Sequence, residues 1–343
     1  MESVSQLRRN IYTLEQSGTN KVVQLKGKGS DLSNKKALEG RAKCKTITQS
    51  VIFKLIDTAN ENEEQDRVKT YWHTYHCQQK IVTDNGKIYG FYCRNRFCTL
   101  CTRIRKAVLI NKYNPIIKKW EDPHFVTITV KSCKAHQLDA YFKNLQNTFR
   151  KIKEKYKKKE LRGTGIKLVG IRSLESNYNP VKKTYNPHFH LIVANEEMAK
   201  IIVSEWYSRS KKGYVNLEAQ NIQRIWDLEK KLLEIVKYGC KIFTEPNEKT
   251  EENTTSSYIY IKALDTIYKA MKGKRLFERF GFNNPKNDAK EPINNKASNN
   301  AKYWEFELKN NDWLNNSEEV LTNYKIPSRL SAILENNLNT ELN

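Results

Sequence analysis

The sequence predicts an α+β fold, a central antiparallel sheet covered by helices and preceded by a small zinc-binding module. Three observations carry this reading. Short β-branched runs alternate with helical stripes in the order β-α-β-β-α-β-α. The middle two strands are joined by NYNPVKKTYNP, a connector rich in Asn, Pro and Tyr that suits a hairpin. Cysteines cluster just ahead of the first strand.

Residues 1–65 are polar, mixed in charge and end in the acidic ENENEEQD, the composition of a flexible arm with one helix over TITQSVIFKLID. Residues 66–119 hold the cysteine-rich module. FVTITV, residues 125–130, is a β-branched strand that opens a domain over 120–282. Leu138, Tyr141, Phe142, Leu145, Phe149 and Ile152 then recur at steps of three and four, one apolar stripe of a helix. GIKLVGIRSLES and HFHLIVAN follow as paired strands. EEMAKIIVSEWYSRS is a second helix with Ile201, Ile202 and Trp206 on its apolar side; GYVNLEAQ is a short strand; residues 225–243 form a third helix. Residues 283–343 read as a polar linker and tail, with an aromatic segment (Tyr303, Trp304, Phe306, Trp313) to which no chemistry is assigned.

The 343 residues carry a formal net charge of +23, so positive charge is a bulk property of the chain. It favours a polyanionic partner, nucleic acid before an anionic membrane. No stretch approaches the roughly 18 apolar residues of a membrane span, and MESVSQLRRN lacks the apolar centre of a signal peptide. The expectation is a soluble cytoplasmic protein with no membrane association.

Seven cysteines in such a compartment point to metal binding rather than to a disulfide framework. Cys77, Cys93, Cys98 and Cys101 follow the pattern C-x15-C-x4-C-x2-C around the turn TDNGK, four thiolates for a closed structural Zn²⁺ site. His73 or His76 is an alternative to Cys77. Cys98 and Cys101 as a redox pair would want a thioredoxin-like context, which is missing. Cys44, Cys133 and Cys240 are expected to be unliganded. Arg94, Arg96, Arg103, Arg105 and Lys106 in and after the cluster suit phosphate contacts, and RKIKEKYKKKELR adds a second cationic run or a solvated helix end.

In YNPHFHLIVAN, His188 and His190 are two apart on a strand and project from one face, while Phe189 points into the opposite layer. Two imidazoles so placed can share a divalent cation, with Glu175 on the preceding strand as third ligand and open positions for a phosphate oxygen. The bland alternative is a pair of hydrogen-bonded strand histidines. Downstream, LLEIVKYGCK sets Glu234 and Tyr238 at i and i+4 on one helix face, with Lys237 and Lys241 beside the phenol. Ammonium groups favour the phenolate and can contact a phosphate. A tyrosine so placed is a nucleophile at phosphorus, and Glu234 a general base on water.

PHFHLIV, EIVKYGCK and CRNRFCTLCTRIRK together resemble the replication initiators of small rolling-circle plasmids, in the HUH endonuclease superfamily and its zinc-cluster, single-tyrosine branch. FVTITV and GIRSLES sit where that family has its first strand and its glutamate-bearing strand, and YKAMKGKRLFERFG resembles the segment after its tyrosine helix. The likeness covers about residues 75–282. It implies a ferredoxin-like (RRM-like) palm, Mg²⁺ or Mn²⁺ on His188, His190 and Glu175, and attack by Tyr238 on an origin phosphodiester to leave a 5′-phosphotyrosine and a free 3′-hydroxyl. Glu234 would activate water for the terminating cleavage, with Lys241 nearby. FCTLCT departs from the proline that the family often has after the first cysteine.

The expected partners are single-stranded or extruded origin DNA and, because the chain has no P-loop, a separate host helicase and a polymerase; a homodimer is left open. The competing readings are a relaxase or single-strand transposase, which usually places its tyrosine before the histidines, and a non-catalytic zinc-bearing DNA-binding protein.

Overall fold

The computed structural model describes residues 23–24, 32–236, 258–283 and 301–339. In chain order its first elements are β1 (Val23–Gln24), α1 (Lys35–Glu61), α2 (Gln65–Tyr75), β2 (Lys80–Asp84), β3 (Lys87–Gly90), α3 (Thr99–Ile117) and β4 (His124–Thr129). The central run is α4 (Leu138–Leu161), β5 (Gly170–Asn179), β6 (Thr184–Val193), α5 (Glu196–Arg209), β7 (Asn221–Arg224) and α6 (Leu228–Val236). The last elements are β8 (Ile259–Tyr260), α7 (Ile261–Met271), β9 (Phe277–Phe280), β10 (Lys302–Glu307), β11 (Asp312–Leu314), α8 (Ser328–Asn336) and β12 (Leu338–Asn339). Two compact units share the chain, 1–104 with 287–338 and 105–286 with 339–343.

The first unit holds an antiparallel sheet in the order β1-β3-β2-β10-β11. Leu38 and Ala42 of α1 pack on it against Ile81, Ile88, Trp304, Phe306 and Trp313. Both indoles are satisfied: Trp304 Nε1 donates to Thr83 Oγ1 at 2.9 Å and Trp313 Nε1 to the Gln78 carbonyl at 2.8 Å. Two expectations from composition differ from this. The helix expected over TITQSVIFKLID runs instead over 27 residues, Lys35–Glu61, and the tail expected over 283–343 supplies three strands and a helix. The N-terminal half of the helix escapes a compositional reading because its buried side includes Arg41 and Lys45. In β10 the inward positions Trp304 and Phe306 alternate with exposed Glu305 and Glu307, so only every second residue is apolar.

The second unit is built on the antiparallel sheet β7-β4-β6-β5-β9, and its order of elements after α3 runs β-α-β-β-α-β-α as the sequence predicts. Side chains alternate between two covered faces. On one face Phe125, Ile171 and Ile192 pack with Tyr113 and Ile117 of α3 and with Leu232 and Ile235 of α6. On the other, Phe189 meets Phe149 of α4 at 5.6 Å and Trp206 of α5 at 6.1 Å between ring centroids. The stripe Leu138, Phe142, Leu145, Phe149 and Ile152 is buried there, while Tyr141 is half-buried against Tyr214. In α5 the buried residues are Ala199, Ile202, Val203 and Trp206, and Ile201 is half-buried. β5 and β6 run through most of the expected connector, because Tyr178 and Tyr185 pair across the ladder with rings 5.1 Å apart.

Two boundaries are corrected. GYVNLEAQ is not a strand: the Asn216 carboxamide accepts from the Glu218 N–H at 3.1 Å and caps a single 3₁₀ turn, Leu217–Ala219, before β7 begins at Asn221. The third helix starts at Leu228, where Asp227 Oδ1 accepts from the Lys230 N–H at 3.0 Å. Of the range 225–243 expected for it, residues 237–243 lie outside the described residues. Among the described residues no helix is long and apolar enough to cross a membrane.

Candidate active site and metal centres

The register of the second sheet brings together three side chains that could hold a metal ion. His188 stands opposite Glu175 on one side and Thr129 on the other; His190 stands opposite Ser173 and Thr127. Residues directly opposite in antiparallel strands share a face, so Glu175, His188 and His190 converge on the face covered by α3 and α6. Glu175 Oε2 lies 4.0 Å from His188 Nε2 and 3.8 Å from His190 Nε2. One ligand atom from each of the three falls within 4.8 Å of the others. Glu175 and His188 are buried, and His190 keeps 14 % of its side chain exposed.

The surrounding groups orient these side chains. His188 Nδ1 lies 2.8 Å from the Asn186 carbonyl, which can only accept, so the proton sits on Nδ1 and the Nε2 lone pair faces Glu175. His190 Nδ1 is 3.0 Å from Thr127 Oγ1, and the ring stacks on Phe125 at 5.2 Å. Ser173 Oγ donates to Glu175 Oε1 at 3.3 Å. A histidine whose other ring nitrogen is held this way presents one fixed lone pair, the arrangement that metal-ligating imidazoles use. Two imidazoles and a carboxylate fit a divalent cation that keeps open positions. Sequence reasoning passes over Thr127, Ser173 and Asn186. Their signal is weak but present: Asn186 is two residues before His188, and Thr127 is a polar residue inside a β-branched strand.

Helix α6 lies over this same face. Lys231 Nζ sits 4.3 Å above the Phe125 ring, on which His190 stacks, and donates to Glu234 Oε2 at 3.3 Å and Gln223 Oε1 at 3.2 Å. Glu234 is partly exposed. The structure thus brings the glutamate's helix to the imidazole face. Tyr238, Cys240 and Lys241 lie outside the described residues.

In the first unit Cys77, Cys93, Cys98 and Cys101 form a buried group whose sulfurs all lie within 4.8 Å of one another. Cys101 Sγ is 3.7 Å from both Cys77 Sγ and Cys93 Sγ. A tetrahedron with Zn–S bonds of about 2.3 Å has edges of about 3.8 Å, so this spacing suits Zn²⁺. Backbone N–H groups already point at sulfur: Cys93 to Cys77 at 3.5 Å, Asn95 to Cys93 at 3.4 Å and Cys101 to Cys98 at 3.5 Å. Burial raises the Cys98 thiol, but hydrogen bonds from Cys101, Cys77 and Cys93 outweigh it and hold Cys98 well below the usual range. Lys45 is fully buried beside the group, donating to the Tyr75 carbonyl at 2.8 Å. Desolvation lowers its pKa to about 8, against the opposing pull of Cys77, Cys98 and Cys93. His73 and His76 are not in the group: His73 packs edge-on to Phe91 and His76 stacks on Trp72. Cys133 is buried elsewhere, bridged to Tyr185 in the second unit, and Cys44 packs against the cluster without joining it.

A family model described as "Replication protein" matches residues 87–326 of the chain. A "Protein rep" of Staphylococcus aureus is 31% identical over 178 residues, which span 48% of this chain and 73% of that protein. A "Protein rep" of Streptococcus pneumoniae is 26% identical over 145 residues, 40% of this chain and 41% of the relative. One of Bacillus amyloliquefaciens is 28% identical over 190 residues, 46% of this chain and 54% of the relative. The chain therefore spans most of the first relative and about half or less of the other two. No solved structure matches the chain.

Proposed function

The chain belongs to the Rep_1 family of replication proteins, and from that premise we propose that it is a plasmid replication initiator that nicks and rejoins origin DNA through a phosphotyrosine. The observation that carries this reading is the convergence of Glu175, His188 and His190 on the sheet face that also receives the helix of Glu234. Those three residues would hold Mg²⁺ or Mn²⁺, which when bound polarises a phosphodiester. Tyr238 Oη attacks phosphorus, the bond from phosphorus to the 3′ oxygen breaks, and that oxygen takes up a proton to leave a primer 3′-hydroxyl. The other strand end stays on Tyr238 as a 5′-phosphotyrosine. Glu234 takes a proton from water for the terminating hydrolysis, and Lys241 contacts the phosphate. A cytoplasmic, rolling-circle initiator of this kind needs a single-stranded or extruded origin, since the target phosphate has to reach both the cation and Tyr238, and a host helicase and polymerase to extend the primer.

Intact-protein mass spectrometry after incubation with origin single strand and Mn²⁺ tests the reading. Wild type is expected to gain the mass of the fragment downstream of the nick, joined through its 5′ phosphate to Tyr238. Tyr238→Phe is expected to lose adduct by more than about 10⁴-fold while still binding the strand. An unmodified wild type that binds the DNA would instead make this a non-catalytic DNA-binding protein, and an adduct on another residue would reassign the nucleophile.

A further inference from the structure

At the outer edge of the second unit's sheet, on β9, lies a groove of about 650 Å³ that no step of the proposed reaction uses. Its cationic lining is Arg150, Lys153, Lys157, Lys167 and Arg279, against two carboxylates, Glu154 and Glu160. Arg150, Lys153, Glu154 and Lys157 recur at helical spacing on one side of α4. Both carboxylates are already engaged, Glu154 by Arg150 at 3.0 Å and Glu160 by Lys167 at 3.4 Å. Lys153 is spoken for by Glu278, which also neutralises buried Arg172. Two cations remain for another anion: among the described residues neither Lys157 nor Arg279 has a carboxylate within ion-pair distance, and Arg279 donates only to the Phe282 carbonyl. The floor is rigid. Gly281 has φ +79°, and a Cβ there would stand 2.1 Å from the Leu168 carbonyl oxygen, so only glycine lets the chain cross at this point.

We propose that this groove binds the phosphate backbone of duplex DNA flanking the cleavage site. From Arg150 to Lys157 the helix rises about 10 Å, comparable to the rise of three base pairs along a duplex axis at about 3.4 Å each. Arg279 stands opposite Ile171, four residues or roughly 13 Å along β5 from Glu175, and α4 covers the sheet face opposite the three side chains, so the groove grips the flank rather than the scissile phosphate. Backbone contacts of this kind set register without reading bases. The inference rests on the replication-initiator reading for its choice of ligand.

The test is fluorescence anisotropy of the full chain with a labelled mixed-sequence duplex of about two helical turns, between about 50 and 200 mM salt. Lys157→Ala/Arg279→Gln is expected to bind more weakly and to lower the slope of log K against log salt by about 1.8, two contacts at about 0.9 each. Lys157→Arg/Arg279→Lys is expected to keep the wild-type slope, and so is Lys211→Ala/Lys212→Ala, which removes equal charge elsewhere on the unit. Adduct formation on a minimal single strand is expected to be unchanged in all of them, which shows that the variants are folded. A wild-type slope in Lys157→Ala/Arg279→Gln, an equal loss in Lys211→Ala/Lys212→Ala, or tighter binding of an RNA duplex would each overturn the groove assignment. If wild type forms the adduct on a single strand but shows no salt-dependent duplex binding, the groove fails and the nicking reading stands; absence of the adduct fails the latter.

Discussion

The two metal-type centres of this protein differ in how they are finished. The cysteine group of the first unit supplies four sulfurs at tetrahedral spacing, buried, with N–H groups and the Lys45 ammonium arranged around the negative charge. The Glu175–His188–His190 group supplies three ligands, with His190 still in touch with solvent and a helix bearing Glu234 laid over it. A closed ligand set stabilises a fold and an incomplete one leaves room for a reactant. The supporting structure differs in the same sense. The sulfur group packs with Leu100, Phe91 and Tyr92 beside the unit's own core of Trp304, Phe306 and Trp313, whereas the imidazoles sit on a hairpin of two ten-residue strands within a sheet packed on both faces.

The largest effect expected from this contrast follows metal removal from the first unit. Structural Zn²⁺ in zinc-finger peptides contributes roughly 10 kcal/mol or more, so Cys98→Ser or a strong chelator is expected to unfold the cysteine segment of the first unit. Hydrogen exchange would show lost protection over residues 77–101 with the β5–β6 hairpin still protected. Equal loss in both units would erase the distinction.

The second unit should depend instead on its own packing and on the buried pair of Arg172 with Glu278, 2.7 Å apart. Glu278→Gln leaves Arg172 buried without its counter-charge and is expected to cost about 3–5 kcal/mol, read as a drop in the denaturation midpoint. Burial raises the Glu278 carboxyl, but Arg172 and Lys153 outweigh it and hold it below its usual value. A carboxyl depressed in the folded state contributes stability above its unfolded pKa and loses it as pH falls through the folded one. Wild type should therefore lose stability below about pH 4.3 more steeply than Glu278→Gln does; parallel profiles would remove this pair from the account. A smaller effect is expected at the imidazoles. Thr127→Val removes the partner of His190 Nδ1 and should weaken Mn²⁺ binding about 10–100-fold by calorimetry, with zinc content unchanged.

The elements of the second unit were legible because their signals are periodic and local. Period two placed His188 and His190 on one face with Phe189 on the other, and steps of three and four marked the buried stripe of α4. The four cysteines were legible from spacing alone, since a thiolate cluster needs few other cues. Where reading by composition failed, the cause was polar residues doing a buried job: Arg41 and Lys45 hid the N-terminal half of α1, and alternation with glutamates hid β10. A local side-chain cap decided the fate of GYVNLEAQ, which β-propensity could not foresee.

By itself, then, the sequence determined the residue types of both side-chain groups, the order of strands and helices, and the chemistry those residues are suited to. Tertiary structure alone decided which polar atoms fix the imidazoles, that α6 lies over the ligand face, that residues 301–314 close the sheet of the cysteine unit, and that Lys157 and Arg279 share a groove. The physical reason is range: periodicity and ligand spacing act over a few residues, whereas register, packing and counter-charge are settled between segments far apart along the chain.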